Sequence, residues 1–270
     1  MLSNISRWLT YVCALLYGIL GALLFLFPAQ LAPVFAWKVT AFMTMTIGGW
    51  CLGNAWLAYI NARRWEWKLV YTSLIYLWLF GIGEVIVLFL FRDKLKLEHP
   101  IAWLYFITLI VNALAAFIGV FDYFRLRPSN KLSGTAITKI QILPAVAFVL
   151  LVGFLGLYGL TAQIGDIGTN AGIFPEVMSL FTLRSFGVFY FSLALGVVPY
   201  FWDKSLNAVL HHSFAAYALI VFITTAAFIY IGLFNFTERP GGLAYFGVYL
   251  AVGIPLTLVF MKYGTGVSRN

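Results

Sequence analysis

The chain has 270 residues, of which 63% are hydrophobic, 19% aromatic and only 10% charged, and it carries a formal net charge of +8. A soluble domain has about a quarter of its residues charged, so this composition excludes an ordinary soluble protein and places the chain in a bilayer. Nucleic acid is excluded as a partner, because the basic residues are dispersed among loops and not gathered on one face.

A spanning helix needs about 20 mostly apolar residues. Eight segments are predicted to qualify: Trp8–Phe27, Thr40–Ile60, Leu69–Phe91, Ile101–Tyr123, Ile140–Ala162, Met178–Pro199, Ser213–Phe234 and Leu243–Met261. The apolar core of the first is too long for a signal peptide and has a counterpart later in the chain, so it is read as a helix. Cys13 and Cys51 lie in apolar runs, with no CxxC pair, and read as small hydrophobes. Between the first two spans, the apolar loop FPAQLAPVFAWK (Phe27–Lys38) either lies along the outer interface or dips into the membrane. Its later equivalent, Gln163–Glu176, is glycine-rich.

Lys and Arg in the short loops set the orientation. With the N-terminus inside, eleven basic residues fall on the inner side (Arg7, Arg63, Arg64, Lys68, Arg125, Arg127, Lys131, Lys139, Lys204, Lys262 and Arg269). Five fall outside (Lys38, Arg92, Lys94, Lys96 and Arg239), and both termini are therefore predicted to be cytoplasmic. Trp65, Trp67, Trp103 and Tyr123 sit near span ends, as interfacial aromatics do.

The only long polar linker, RLRPSNKLSGTAITK (Arg125–Lys139), divides the chain into four helices and four helices. The boundaries read as a first repeat over 1–127, a cytoplasmic linker over 128–139 and a second repeat over 140–270. LLYGILG (Leu15–Gly21) matches LLVGFLG (Leu150–Gly156) at five positions of seven, and IGGWCLG (Ile47–Gly53) lies against FGVFYFS (Phe186–Ser192). Phe27–Pro28 and Phe174–Pro175 mark the preceding outer loops. An even number of spans per half makes this a parallel repeat. The expected fold is an all-α integral membrane protein, a 4+4 parallel pseudo-repeat bundle of about eight transmembrane helices.

The second-half pattern of a helix with spaced glycines, an outer proline loop and LRSFGVFYFSLALG (Leu183–Gly196) resembles the DoxX-like bacterial membrane proteins. In the first half the arginine position falls on Met45 or Thr46. The resemblance implies a tandem pair of four-helix units in a bacterial cytoplasmic (inner) membrane. It also implies a possible link to quinone-dependent oxidation, and quinone or lipid as ligands, although no cofactor is predicted from the residues.

Two charges lie well inside spans, Glu84 and Arg184. Each costs roughly 2.5–3.5 kcal/mol unless paired or hydrated. At about 1.5 Å per residue, both lie some 8–9 Å below the outer face of a core about 30 Å thick. One reading pairs them across the two halves. A second lets Arg184 snorkel outward, with Glu84 protonated or facing a wet cleft. A third gives them a substrate or a proton to handle. Gly81 and Gly83 beside Glu84 read as packing positions, and Asn54 and Asn112 as interhelical hydrogen bonds or a polar lining. Asp122 and Arg125 read as an i,i+3 ion pair. The adjacent His211 and His212 point apart on a helix and make a poor chelate, so no metal site is predicted.

No P-loop, nucleophile elbow, HExxH or dinucleotide fingerprint occurs, so no catalytic residue is assigned. The first functional reading is a structural, accessory or lipid-binding membrane protein, with lipid, other membrane subunits or a second copy as partners. The alternatives are a transporter or channel for a small or amphipathic solute with a Glu84/Arg184 site, and a quinone-linked oxidoreductase subunit.

Overall fold

The structure, a computed structural model, describes residues 1–129, 136–163 and 177–263. Residues 164–176, which include Phe174 and Pro175, lie outside the described residues, as do Arg269 and residues 130–135 of the expected linker, with Lys131 among them. Among the described residues there are eight long helices: α1 (Asn4–Leu26), α2 (Ala41–Arg64), α3 (Trp67–Leu90), α4 (Pro100–Leu126), α5 (Lys139–Thr161), α6 (Leu180–Val197), α7 (Leu206–Ile229) and α8 (Gly241–Tyr263). Seven are long and apolar enough to cross a membrane. The exception is α2, which falls on the expected span Thr40–Ile60. It is 24 residues long but carries Thr44, Thr46, Asn54, Asn61 and three glycines on buried positions. Protein rather than lipid surrounds this helix, so its sequence is free to be less apolar. The chain is thus a helical polytopic membrane protein.

Helix starts follow capping chemistry. Ser3, Thr40, Ser179 and Ser205 each accept a hydrogen bond from a backbone N–H in the first turn that follows. Pro100 opens α4 from its first turn, where no amide hydrogen is needed.

The two halves share a register. Adding 135 to the bounds of α1 gives those of α5. Adding 139 to α2 and α3 gives 180–203, which is α6 with the short turn Tyr200–Asp203, and 206–229, which is α7. The helix-ending left-handed residues Trp65 (φ 40°) and Lys204 (φ 42°) are also 139 apart. Pro100 and Pro240 stand 140 apart at the start of α4 and α8, an offset that sets Tyr105 against Tyr245.

The same offsets connect the helix crossings. A Cβ on Gly21 of α1 would lie 2.6 Å from the Leu52 backbone nitrogen, and one on Gly156 of α5 would lie 2.5 Å from that of Phe191. In the reverse direction, Gly48 meets Phe25 N and Gly187 meets Leu160 N, both at 2.6 Å. Only glycine permits such backbone approach, and close approach is what holds helices together where lipid is as apolar as the side chains.

These crossings put α2, α3 and α6 inside. Between them they bury Trp50, Tyr76, Phe186 and Phe189 almost completely. Outward, α1 presents Ile5, Trp8, Val12, Leu15, Ile19, Leu23 and Leu26 at steps of three and four residues, one stripe of a helix facing lipid.

At one end of the bundle, Asp122 of α4 gathers the start of α1. Its Oδ2 accepts from Ser3 N at 3.1 Å, from Ser3 Oγ and from Ser6 Oγ at 2.5 Å. Its Oδ1 takes the expected ion pair with Arg125 at 3.1 Å. Arg7 Nε donates to Ala62 O at 2.8 Å and so covers the last turn of α2. At the other end, the loop after α1 turns inward: Phe35, Ala36 and Trp37 are at most 2% exposed. This part of the loop packs against the bundle's own side chains.

Replacing Gly187 with Val forces the α5–α6 crossing apart and is expected to destabilise the protein by about 1–3 kcal/mol, read as earlier thermal unfolding in detergent. Gly247→Ala, where a Cβ meets nothing within 4 Å, should leave unfolding unchanged or slightly later.

Candidate functional site

Thr72, Tyr76, Phe80 and Glu84 stand at every fourth position of α3 and share the face turned to the bundle centre. Glu84 is fully buried. Its Oε2 accepts from Tyr105 Oη of α4 at 3.2 Å. Its Oε1 has no hydrogen-bond partner. Ser185 of α6 lies beside the carboxylate, its hydroxyl turned toward Glu84 without closing to full hydrogen-bond geometry.

The acid sits between two aromatic layers. Toward the Trp37 end, the Tyr105 ring meets Phe35 and Trp37 edge-on at 5.2 and 5.3 Å. Trp37 stacks on Phe181 at 4.3 Å, and its Nε1 donates to Thr182 Oγ1 at 3.1 Å. The loop backbone is pinned from the other side, where Lys96 N donates to Ala36 O at 2.7 Å. One turn below the acid, Phe80 packs against Tyr76 and Phe189, both at 6.1 Å. Trp50 stacks flat on Phe189 at 4.6 Å.

The expected Glu84–Arg184 pair does not form. Arg184 donates from Nη1 to Gly159 O at 2.8 Å and from Nη2 to Ala162 O at 2.7 Å, at the end of α5. The last carbonyls of a helix have no partner within it and carry partial negative charge, so they attract a cation. Arg184 and Gly187 lie on the flank of α6 facing α5, whereas Ser185 lies on the flank facing α3. Both charges were expected at similar depth; their direction around the helix is what separates them. Arg184 is therefore neither paired across the halves nor directed at the acid. It closes the end of α5.

Asn54 and Asn112 both bond between helices. Tyr76 Oη donates to Asn54 Oδ1 at 2.7 Å, and Asn112 Nδ2 donates to Tyr17 Oη at 2.8 Å and to Leu77 O at 3.0 Å. Asn54 Nδ2, Asn112 Oδ1 and Trp50 Nε1 remain buried and unpartnered. Gly81 makes room for the Asn112 side chain, 2.5 Å from where its Cβ would stand, and Gly83 makes room for Val188.

Toward the Asp122 end, a polar seam crosses the halves. His211 Nε2 meets Asn61 Oδ1 at 3.0 Å, His212 Nδ1 meets Ser73 Oγ at 2.9 Å, and Thr72 Oγ1 meets Tyr200 Oη at 2.5 Å. Tyr71 Oη donates to Asp203 Oδ2 at 2.6 Å. The two histidines diverge, as adjacent helical residues must. Ser73 and His212 are 139 apart and bond to each other, while Asn61–His211 and Tyr200–Thr72 are the same contact under that offset. Neither the seam nor Ser185 was anticipated from the sequence. The signal available for the seam was the 139-residue offset that pairs these positions.

No protein-family model, curated protein or solved structure matches the chain.

Removing the Arg184 guanidinium (Arg184→Ala) should cost about 1.5–3 kcal/mol, the range for hydrogen bonds from a charged group, while Arg184→Lys keeps part of it. The double exchange Glu84→Arg with Arg184→Glu should unfold no later than the worse single variant, measured by thermal unfolding in detergent; rescue by the exchange would contradict the arrangement seen.

Proposed function

We propose that the chain is a tandem duplication whose halves clasp a central binding site at Glu84, and that it moves a small hydrogen-bonding molecule across the membrane. The carrying observation is a set of buried polar atoms short of a full hydrogen bond: Glu84 Oε1 and Ser185 Oγ, which face each other, and Trp50 Nε1, Asn54 Nδ2 and Asn112 Oδ1 on the helices around them. They come from four helices. Each such atom costs about 1–3 kcal/mol when left unsatisfied, and a guest that supplies donors and acceptors removes that cost. A pure scaffold gains more from apolar packing at these positions.

Duplication is supported by the common offsets of elements and crossings. Two features support movement rather than static binding. Contacts between the halves close the site at both ends: Trp37 with Phe181 and Thr182 on one side, the histidine seam on the other. In addition, parallel repeats meeting at a central site provide two bodies that can rock about it. The Arg184 part of the expected transport site is dropped, because its guanidinium belongs to the end of α5.

Native mass spectrometry of the protein from mild detergent tests the reading. The expected result is one defined small molecule bound to the chain and lost in Glu84→Gln. A chain that carries no small molecule but holds another protein at fixed stoichiometry would overturn it in favour of the accessory role.

A further inference from the structure

We propose that the molecule held at Glu84 is a small organic cation, an ammonium compound, bound at one site per chain. This rests on the central-site reading above and specifies its chemistry. Glu84 is a fully buried carboxyl group, and none of the three ion pairs among the described residues involves it. Arg184, the nearest candidate in sequence terms, is committed to the Gly159 and Ala162 carbonyls. Burial without a counter-charge opposes ionisation of a carboxyl group, and a cationic guest would supply that charge.

The walls narrow the class. Aromatic rings lie on both sides of the acid along the bundle: Tyr105 backed by Trp37 toward one end, Phe80 with Trp50 toward the other. Ring faces attract cations, and aromatic enclosures select weakly hydrated ammonium groups over strongly hydrated metal ions. A divalent metal needs several oxygen, nitrogen or sulfur ligands, and no group of three or more His, Cys, Asp or Glu side chains that could hold a metal occurs among the described residues. Ser185 Oγ and Glu84 Oε1, which face each other without closing to full hydrogen-bond geometry, supply the polar contacts.

The stoichiometry follows from the offset. The position 139 residues after Glu84 is Ile223, fully buried, and the one 139 before Ser185 is Thr46, whose hydroxyl is spent on Phe42 O at 2.9 Å. The second half therefore repeats the frame of the site without its charge.

The test compares choline with 3,3-dimethylbutan-1-ol, its neutral carbon isostere, alongside ammonium ions from methylammonium to tetraethylammonium. Binding is read by tryptophan fluorescence and thermal stability of the purified protein. The expected result is saturable binding of one ammonium ion per chain, with the neutral isostere weaker by at least about tenfold. Glu84→Gln keeps an acceptor for Tyr105 and should abolish the preference for charge; Ser185→Ala should weaken binding while keeping that preference. Equal binding of the neutral isostere, or a preference that survives Glu84→Gln, would overturn the cation and leave the central site standing. No binding by any member of the series would overturn the cation too. The central site falls with it only if native mass spectrometry also finds no small molecule.

Discussion

Backbone contact at glycines governs this bundle. Gly21 and Gly48 bring α1 onto α2, and Gly156 and Gly187 bring α5 onto α6, in each case until one helix's backbone touches the other. Inside a bilayer no hydrophobic gain distinguishes a helix neighbour from lipid, so the shortest available approach, with its dispersion contacts, decides which surfaces pair. Once α1 and α5 are fixed against α2 and α6, the latter are enclosed. An enclosed helix need not be apolar, and α2 uses that freedom for Asn54 and Asn61.

That enclosure explains where the polar side chains collect. Buried polar groups must be satisfied within the protein, and the surface between the halves is where side chains from two helices with a common register meet. Gly49 opposite Phe222 and Val188 opposite Gly83 are one contact made twice, at an offset of 139. The polar seam follows the same rule, with Ser73 and His212 at the position that maps onto itself. The seam is therefore bonded across the halves at several places, with His211 Nδ1 left over. Near the Asp122 end hydroxyl, amide and imidazole groups bond across the halves, while the Glu84 carboxyl takes a bond from Tyr105 and leaves Oε1 and Ser185 Oγ short of one.

Helices, their approximate bounds and the crossing glycines were legible in the sequence, because apolar run length and glycine spacing are one-dimensional signals. The matched stretches Leu15–Gly21 and Leu150–Gly156 contain the glycines at the α1 and α5 crossings. The depth of Glu84 and Arg184 was legible for the same reason, since a helix rises by a fixed step. Azimuth was not. Arg184 and Ser185 differ by one position and by about 100° around the axis, and in a helix apolar on most sides no amphipathic stripe shows which flank faces a neighbour. Nor could the sequence reveal that the carbonyls ending α5 stand within reach of Arg184, because that depends on the angle between two helices. The inward turn of Phe35–Trp37 was left open for a related reason: an apolar loop suits lipid and protein equally.

A frame that recurs at a fixed offset while its charge does not has its own logic. Were Ile223 acidic, two carboxyl groups would face a shared interior of low dielectric, and ionising one would oppose ionising the other. A single acid avoids that conflict and leaves the counterpart positions to packing: Ile223 of the second half is fully buried, and Met45 of the first half, the counterpart of Arg184, packs with Phe25 and Ala226. The arginine is unduplicated for a separate reason. In α1 the segment corresponding to the end of α5 continues directly into the turn at Pro28, where Leu31 N donates to Phe27 O and Phe27 N to Leu23 O. The Phe27 carbonyl thus goes to a backbone amide, whereas its counterpart at Ala162 is left to the guanidinium. Asymmetry enters this chain where a symmetric solution would leave either a like-charge pair or a redundant cap.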